Sequence, residues 1–471
     1  MLSVVLLIPC FWHSHIEASD LASHTYNAWL ASLIRQGQAP GLYFGRRQWT
    51  NLAVDVALDE LGGIVGLAAA EKIVVSACVL IVFWGAFAFI RAYTGRAPWV
   101  LAPAIAMIAY GWTFYMGFFN YYLSVGLAFL AISLIWRGGR TKAFVGVALS
   151  VVAVFAHPMG LIWIIVATVY LKLADRLRGA SRWALPVLTL LLLVALHFYV
   201  LRLRTEYWDT SYFYALNGGN QLALFGKGYW AVGIAVFAFG VIAFVVGVMR
   251  QWSNTSERWR FRSALELWIL LLLCAALIPE TLWVPMYSAP IGMIIARLTT
   301  ITAVMGICVL ASVPPRRWHL ASLAVCAIAF FALMYRDTNV LNSMERSAEK
   351  MVRTLPKGRR VIATIWSPPD SSIFFTNHLV DRACIEWCFA YSNYEPSTGQ
   401  FRIRARPGSA IAIADTDASG KMETGDYVVQ ASDLPVTQIY QCDGQDLTKL
   451  CMRDLQAGEL NGRLGYRPPK D

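Results

Sequence analysis

Apolar stretches of 15 to 22 residues, separated by short polar or basic loops, recur from the start of the chain to about residue 335. Such lengths fit helices that cross a hydrocarbon layer about 30 Å thick. The pattern predicts spans at 72–90, 98–116, 121–136, 143–157, 159–173, 183–201, 229–249, 264–279, 291–312 and 318–335. Leu2 to Trp12 is apolar but only eleven residues long, roughly 16 Å of helix and too short to cross a bilayer. It reads as the end of a first span whose beginning is missing, which would make eleven. No basic segment precedes it and no convincing cleavage site follows, so a signal peptide fits less well.

After Tyr335 the pattern changes. Short β-type runs appear at Arg360 to Trp366, Ile373 to Thr376, Phe401 to Arg406, Ala410 to Ala414 and Asp426 to Gln430. Turn signals such as Ser367-Pro368-Pro369-Asp370 and Arg406-Pro407-Gly408 separate them. Asp337 to Leu355 reads as a connecting helix. The predicted fold is therefore a polytopic α-helical membrane protein of ten or eleven spans over 1–335, followed by a soluble α+β domain over 336–471.

Composition agrees with that division. The chain is 57% hydrophobic and 15% charged, with a mean hydropathy of +0.51, whereas a soluble domain carries about a quarter charged residues. The net charge of +11 raises the question of nucleic acid, and its placement answers it. From Arg336 onward there are 17 basic and 17 acidic residues, so the excess lies in the first part, 23 basic against 12 acidic. Fifteen of those 23 fall in five short loops, at Arg91 to Arg96, Arg137 to Lys142, Lys172 to Arg182, Arg250 to Arg262 and Arg316–Arg317. That is the positive-inside pattern of cytoplasmic loops, and no nucleic-acid partner is implied. It places 13–71, 202–228, 280–290 and everything after 336 outside, as expected of a multi-pass protein of the cell (inner) membrane with an extracytoplasmic C-terminal domain.

Five cysteines (Cys10, Cys78, Cys274, Cys308, Cys326) lie in apolar segments, and Cys384, Cys388, Cys442 and Cys451 lie in the C-terminal part. Four cysteines in an exported domain allow three disulfide connectivities. Cys442–Cys451 is the favoured pair, leaving Cys384 with Cys388 across a turn. A zinc site is the alternative, without supporting Cys-x-x-Cys spacing.

Candidate chemistry concentrates in the first outer loop, 13–71. From Ser19, a plausible N-cap, to Gly37 a helix is predicted that sets Asp20, His24, Asn27 and Ala31 on one face. Tyr26, Trp29, Leu30 and Leu33 fall opposite, as in a helix lying on the membrane surface. A second stretch, Asn51 to Glu60, puts Asp55 and Asp59 on a shared face. Any one of these residues could be just a solvated position, but a connector this long and patterned points to function.

The first span followed by a long outer loop, with an Asp just beyond the span, resembles the GT-C-type integral-membrane glycosyltransferases. The likeness rests on the topology of 1–335 and on the segment from Ser19-Asp20 to Trp29-Leu30. Where that superfamily often has an Asp-Asp or Asp-Glu pair, this chain has Ser19-Asp20. The resemblance implies transfer of a sugar from a polyprenyl-phosphate donor, outside the cytoplasm, to a glycan, lipid or protein acceptor. Such a transfer needs a base for the acceptor hydroxyl and positive charge for the departing phosphate. Asp20 is the expected base. Asp55 and Asp59 are expected to support the acceptor or a divalent metal, Mg or Mn.

For the phosphate, Arg297 is the expected grip, since an arginine inside a span is costly unless paired or snorkelling to the surface. His157, before Pro158 at the outer end of a span, could contact phosphate or metal, or simply cap a helix. Trp208, with Glu206, Tyr207 and Asp209, could stack on a sugar or belong to an interfacial belt. His24 and Asn27 complete the expected substrate contacts. A transporter or lipid flippase is the rival reading, although no internal repeat is visible; a non-catalytic scaffold is the third. No phosphate-binding Gly-rich signature appears, so a nucleotide-sugar donor is less expected than a lipid-linked one.

Overall fold

The protein is described here by a computed structural model covering every residue except Arg47, 208–216, 252–254, 285–288, Pro315, Pro369, Phe375, Asn377, Gln445 and 463–471. It is a polytopic helical protein. In chain order the first helices are α1 (Leu2–Phe11), α2 (Asp20–Arg35), α3 (Ala53–Val65), α4 (Leu67–Thr94), α5 (Ala102–Ala109), α6 (Trp112–Tyr115), α7 (Phe119–Arg137) and α8 (Arg140–Ala156). There follow α9 (Pro158–Arg176), α10 (Gly179–Val200), α11 (Lys227–Gln251), α12 (Thr255–Leu277), α13 (Ile294–Ala311) and α14 (Arg317–Val352). Among the described residues seven helices are long and apolar enough to cross a membrane: α4, α7, α9, α10, α11, α13 and α14.

Three predicted spans differ from that set. The 98–116 segment breaks at Tyr110 and Gly111 into α5 and α6. The 143–157 segment forms a helix of 17 residues, and 264–279 forms the later part of α12, whose first turns carry the charged residues Glu257 to Arg262.

Close contact between α4 and α7 depends on two glycines. A Cβ on Gly85 would sit 2.3 Å from the Gly126 carbonyl oxygen, and one on Gly126 would meet Val82 at 2.9 Å. Small residues let helix backbones approach this closely where dispersion must hold them together. Outward-facing side chains such as Phe144, Val151, Ile162, Leu192, Ile234 and Val325 remain exposed, as suits contact with hydrocarbon.

The boundary expected at 335/336 is crossed by an unbroken helix. α14 is 36 residues long, about 54 Å at 1.5 Å per residue, so the predicted connecting helix is its continuation. Beyond it come β4 (Arg360–Thr364), α15 (Leu379–Ala383), β5 (Phe389–Ala390), α16 (Glu395–Thr398), β6 (Ile403–Ala405), α17 (Thr416–Thr424), β7 (Val436–Gln441) and β8 (Leu450–Asp454). Earlier strands are β1 (Leu42–Phe44) and the short pair β2 (Thr205–Glu206) and β3 (Thr281–Leu282). One sheet has the order β5-β4-β7-β8, with β4 parallel to β5 and β7 and β8 antiparallel. Among the described residues the runs 373–376, 410–414 and 426–430 form no strand. The turn-flanked run at 401–406 does, but it pairs with β1 of the first loop, Leu42 opposite Ala405.

That pairing shows how the first loop is held. Tyr26, Leu30 and Ala31 of α2 share a core with Leu341 and Met344 of α14 and with Val361 and Ile439 of the sheet. α2 is therefore not a membrane-surface helix: its apolar side is buried against the C-terminal part, and nearly every residue from Leu21 to Ala31 is inaccessible. Disulfides join Cys384 to Cys388 and Cys442 to Cys451. A turn of the chain at Glu386, whose φ is +64°, lets the first pair close.

Candidate active site

Local sequence sets the start of α2 over the transmembrane helices. Gly117 turns the chain between α6 and α7 with φ +78°, and a Cβ there would lie 2.6 Å from the Asp20 backbone nitrogen. The Asp20 N–H donates to the Met116 carbonyl at 3.3 Å. Ser19 occupies the N-cap position, yet its hydroxyl donates to the Phe374 carbonyl at 2.8 Å and does not cap the helix. The C-terminal part thus helps fix the point where Asp20 enters.

Asp20 and His24 line a cavity of about 540 Å³ together with Asn120, His157, Arg297 and Gln400. That volume is within the usual range for small-ligand sites, about 300–1,000 Å³. Away from these groups the walls are mostly apolar, from Met159, Ile162 and Val166 of α9, Leu193 and Leu196 of α10, Leu267 and Leu271 of α12, and Leu298 of α13, with Tyr170 and Thr189 among them. Lining residues run from His157 to Tyr170, thirteen positions or about 20 Å of helix. Ile162, Val166 and Leu196 line the cavity and stay exposed, so its apolar arm is accessible along α9 and α10.

Arg297, in the first turn of α13, faces Asp20 across the polar end. Asp20 is the carboxylate with the largest electrostatic pull on it. The guanidinium lies 4.2 Å over the Phe118 ring, Nη1 donates to the Gly292 carbonyl at 3.3 Å, and buried Nε has no hydrogen-bond partner among the described residues. Its donor capacity is only partly used. His157 is the N-cap of α9, where Nδ1 accepts from the Met159 N–H at 3.3 Å, and its ring meets Tyr121 edge-on at 5.4 Å.

The Asp20 carboxylate accepts a hydrogen bond from the Tyr394 hydroxyl at 3.2 Å and lies 3.5 Å from Nε2 of His378. His24 has its Nδ1 2.8 Å from Asp55 and 3.2 Å from Glu395. Burial opposes charge on that imidazole, but the two carboxylates raise it well above its ordinary value. Burial also raises Glu395, against the pull of His24. Asn120 orients Asp55: its amide donates to Oδ2 at 2.7 Å while its carbonyl accepts from the Val54 N–H at 2.8 Å.

The expected site residues divide accordingly. Asp20, His24, His157 and Arg297 meet at one cavity, and Asp55 stands behind His24. Asp59 goes elsewhere: it is held by Arg35 and by Arg402 at 2.8 Å, fully buried, as an ion-paired link between α2, α3 and β6. Its oxygens are spoken for by guanidinium groups, and the carboxylate that joins Asp55 is Glu395. Asn27 does not line the cavity; its amide donates to the Ser23 carbonyl and to Asn393. Trp208 lies outside the described residues.

Sequence reasoning did not find Glu395, Tyr394, His378 or Asp381. They sit beside turn signals, Pro396-Ser397-Thr398-Gly399 for the first two, and the packing of α15 on α2 together with the pairing of β1 with β6 brings them there. His24, Asp55 and Glu395 offer one nitrogen and two carboxylate oxygens within 4.8 Å of one another, a donor set that fits a divalent ion. A nitrogen among the ligands suits manganese or another transition ion better than magnesium, which prefers oxygen alone. Comparison with protein families, with characterised proteins and with solved structures finds no match to this chain.

Proposed function

We propose that the chain is an integral-membrane glycosyltransferase, of the GT-C type it resembles, that moves a sugar from a polyprenyl-phosphate donor to an acceptor hydroxyl. The observation that carries this reading is one cavity with a carboxylate and a buried, under-used guanidinium at its polar end and an accessible apolar arm of about 20 Å along α9 and α10. A phosphate with a long hydrocarbon tail fits both ends at once. The first loop and the C-terminal part belong, on this reading, to the extracytoplasmic end, opposite the basic loops.

In the proposed reaction Asp20 accepts the proton of the acceptor hydroxyl. The acceptor oxygen bonds to the sugar C1 as the C1–O bond to phosphate breaks, with its electron pair leaving on the phosphate. Arg297 offers a planar, permanently charged fork to that phosphate, in a water-poor site where fixed charge acts strongly. His157 is close enough to the same wall to meet the donor, and His24 the acceptor. A divalent ion, which His24, Asp55 and Glu395 would hold, would supply further positive charge to the site.

A lipid flippase would also use the apolar arm, but its carrier path would need polar groups along the whole depth, whereas the charged groups that line this cavity, Asp20 and Arg297, gather at one end and only Thr189 and Tyr170 bring hydroxyls to the arm. The test is sugar transfer by the purified chain in vesicles containing polyprenyl-phosphate sugars, with and without chelator. Transfer to an added acceptor supports the reading. Movement of the lipid between leaflets without sugar loss would replace it.

A further inference from the structure

His378 takes no part in the chemistry outlined so far, yet it brings a ring nitrogen of the C-terminal part to 3.5 Å from Asp20. It stands just before α15, and its ring is buried. Nδ1 lies 3.2 Å from Asp381 Oδ2 and Nε2 lies 3.5 Å from Asp20 Oδ1, so the two nitrogens face two carboxylates on opposite sides. Asp381 is itself fixed, accepting the Asn393 amide at 2.8 Å on the same oxygen. The ring also lies against Tyr394, 4.9 Å between centroids, and that residue's hydroxyl reaches the other oxygen of Asp20.

Among the described residues the groups that face His378 are anionic or neutral: Asp20 from α2, Asp381 from α15, Glu423 from α17, and Tyr394. Burial disfavours the charged ring, but the hydrogen bond and charge of Asp381, then Asp20 and Glu423, raise it to about 9. Through the neutral range the ring is therefore an imidazolium with two donors. A carboxylate with little water around it and no counter-charge tends to take up a proton, because burial penalises its charge. A base cannot work in that form.

We propose that His378, oriented by Asp381, is a positioning residue that keeps Asp20 ionised and aimed into the cavity. This rests on the reading of Asp20 as the base. A histidine suits the task because one nitrogen can be fixed by a partner while the other faces the group it serves. The C-terminal part is on this account a working half of the site, supplying the counter-charge that the transmembrane helices lack on that side; Arg297 supplies the charge on the other.

The test uses the full chain in detergent or nanodiscs, with His378→Gln and Asp381→Asn as variants. The first readout is the pH dependence of kcat/KM. An opposite charge within about 4–6 Å moves a carboxyl by about 1–3 pH units, so His378→Gln moves the acid limb upward by about one unit or more and lowers kcat, leaving donor KM within about twofold. Asp381→Asn shifts the acid limb less, in the same direction. The second readout is infrared titration of the Asp20 carboxyl, assigned by its loss in Asp20→Asn. It needs no turnover, so the coupling can be judged even if the chain transfers no sugar and the reading of its function fails. Profiles that superimpose on wild type after scaling, or an Asp20 carboxyl that titrates at the same pH with and without His378, overturn the proposal.

Discussion

The Tyr394 hydroxyl donates a hydrogen bond of 3.2 Å to Asp20, 374 positions earlier in the chain. A transmembrane entrance and a C-terminal loop thus meet at one carboxylate. A hydrogen bond to a charged group contributes about 1.5–3 kcal/mol, so Tyr394→Phe should slow transfer by about tenfold while leaving the fold intact. Steady-state kinetics beside a melting curve check this. An unchanged rate would mean that the hydroxyl does not bear on the base.

Arg297→Lys keeps the charge and removes the planar fork. If the guanidinium grips the donor phosphate, kcat/KM should fall by about 10²-fold, within the range for losing one preorganised donor, and Arg297→Ala should fall further. Assays with one donor at several concentrations will show whether the loss appears in kcat, as expected for an interaction that tightens as the phosphate departs. Equal rates for Lys and Arg would reduce the residue to a simple positive charge.

The apolar arm makes a prediction about chain length. Leu193 lies on α10 within the arm, and Leu193→Trp would fill part of it. Donors with long prenyl chains should show a raised KM, and short-chain analogues should be spared. If both classes respond alike, the tail does not lie there.

A network buried between the first loop and the C-terminal part sets stability. Arg382 is 2.8 Å from Glu71 and 2.6 Å from Glu345, with Glu17 at 3.7 Å. Burial, then the charge of Glu345, raises Glu17 well above the ordinary carboxyl range, against the opposing pull of Arg382. Removing one partner from a buried ion pair costs about 3–5 kcal/mol, so Arg382→Gln should melt far below wild type. Stripped of the guanidinium, the carboxylates would have folded pKa values above their unfolded ones. Their protonation then stabilises the fold at low pH, and that contribution is lost as pH rises through the folded values. The variant's melting temperature should accordingly recover at pH 5 relative to pH 8. A deficit that is the same at both would show that the carboxylates are not the cause.

Helices were legible from hydrophobic runs because a span must satisfy its backbone internally over a fixed length. Asp20 and His24 were legible too, as neighbours on one face of a long patterned loop, and Arg297 as a charge inside an apolar span that demands a reason. What could not be read was the partner of each. Asp55 and Asp59 share a helical spacing, yet one turns to His24 and the other to Arg35 and Arg402, a choice made by the packing of α3 on α2 and by β6. The C-terminal strands β7 and β8 were missed because the pattern of turns was stronger at 396–408 than around them. Tyr26 and Leu30 pointed to a lipid surface by their apolarity alone; nothing local to α2 says that the covering layer is another part of the chain.

Asp20→Asn is the most direct test of the central claim that this carboxylate takes the acceptor's proton. The measurement is sugar transfer from polyprenyl-phosphate donors by wild type and variant at matched folding, judged by melting temperature. Loss of a general base costs about 10²–10⁴-fold, so the account predicts a fall of at least about a hundredfold in kcat with the fold retained. Transfer by the folded variant at the wild-type rate would contradict it.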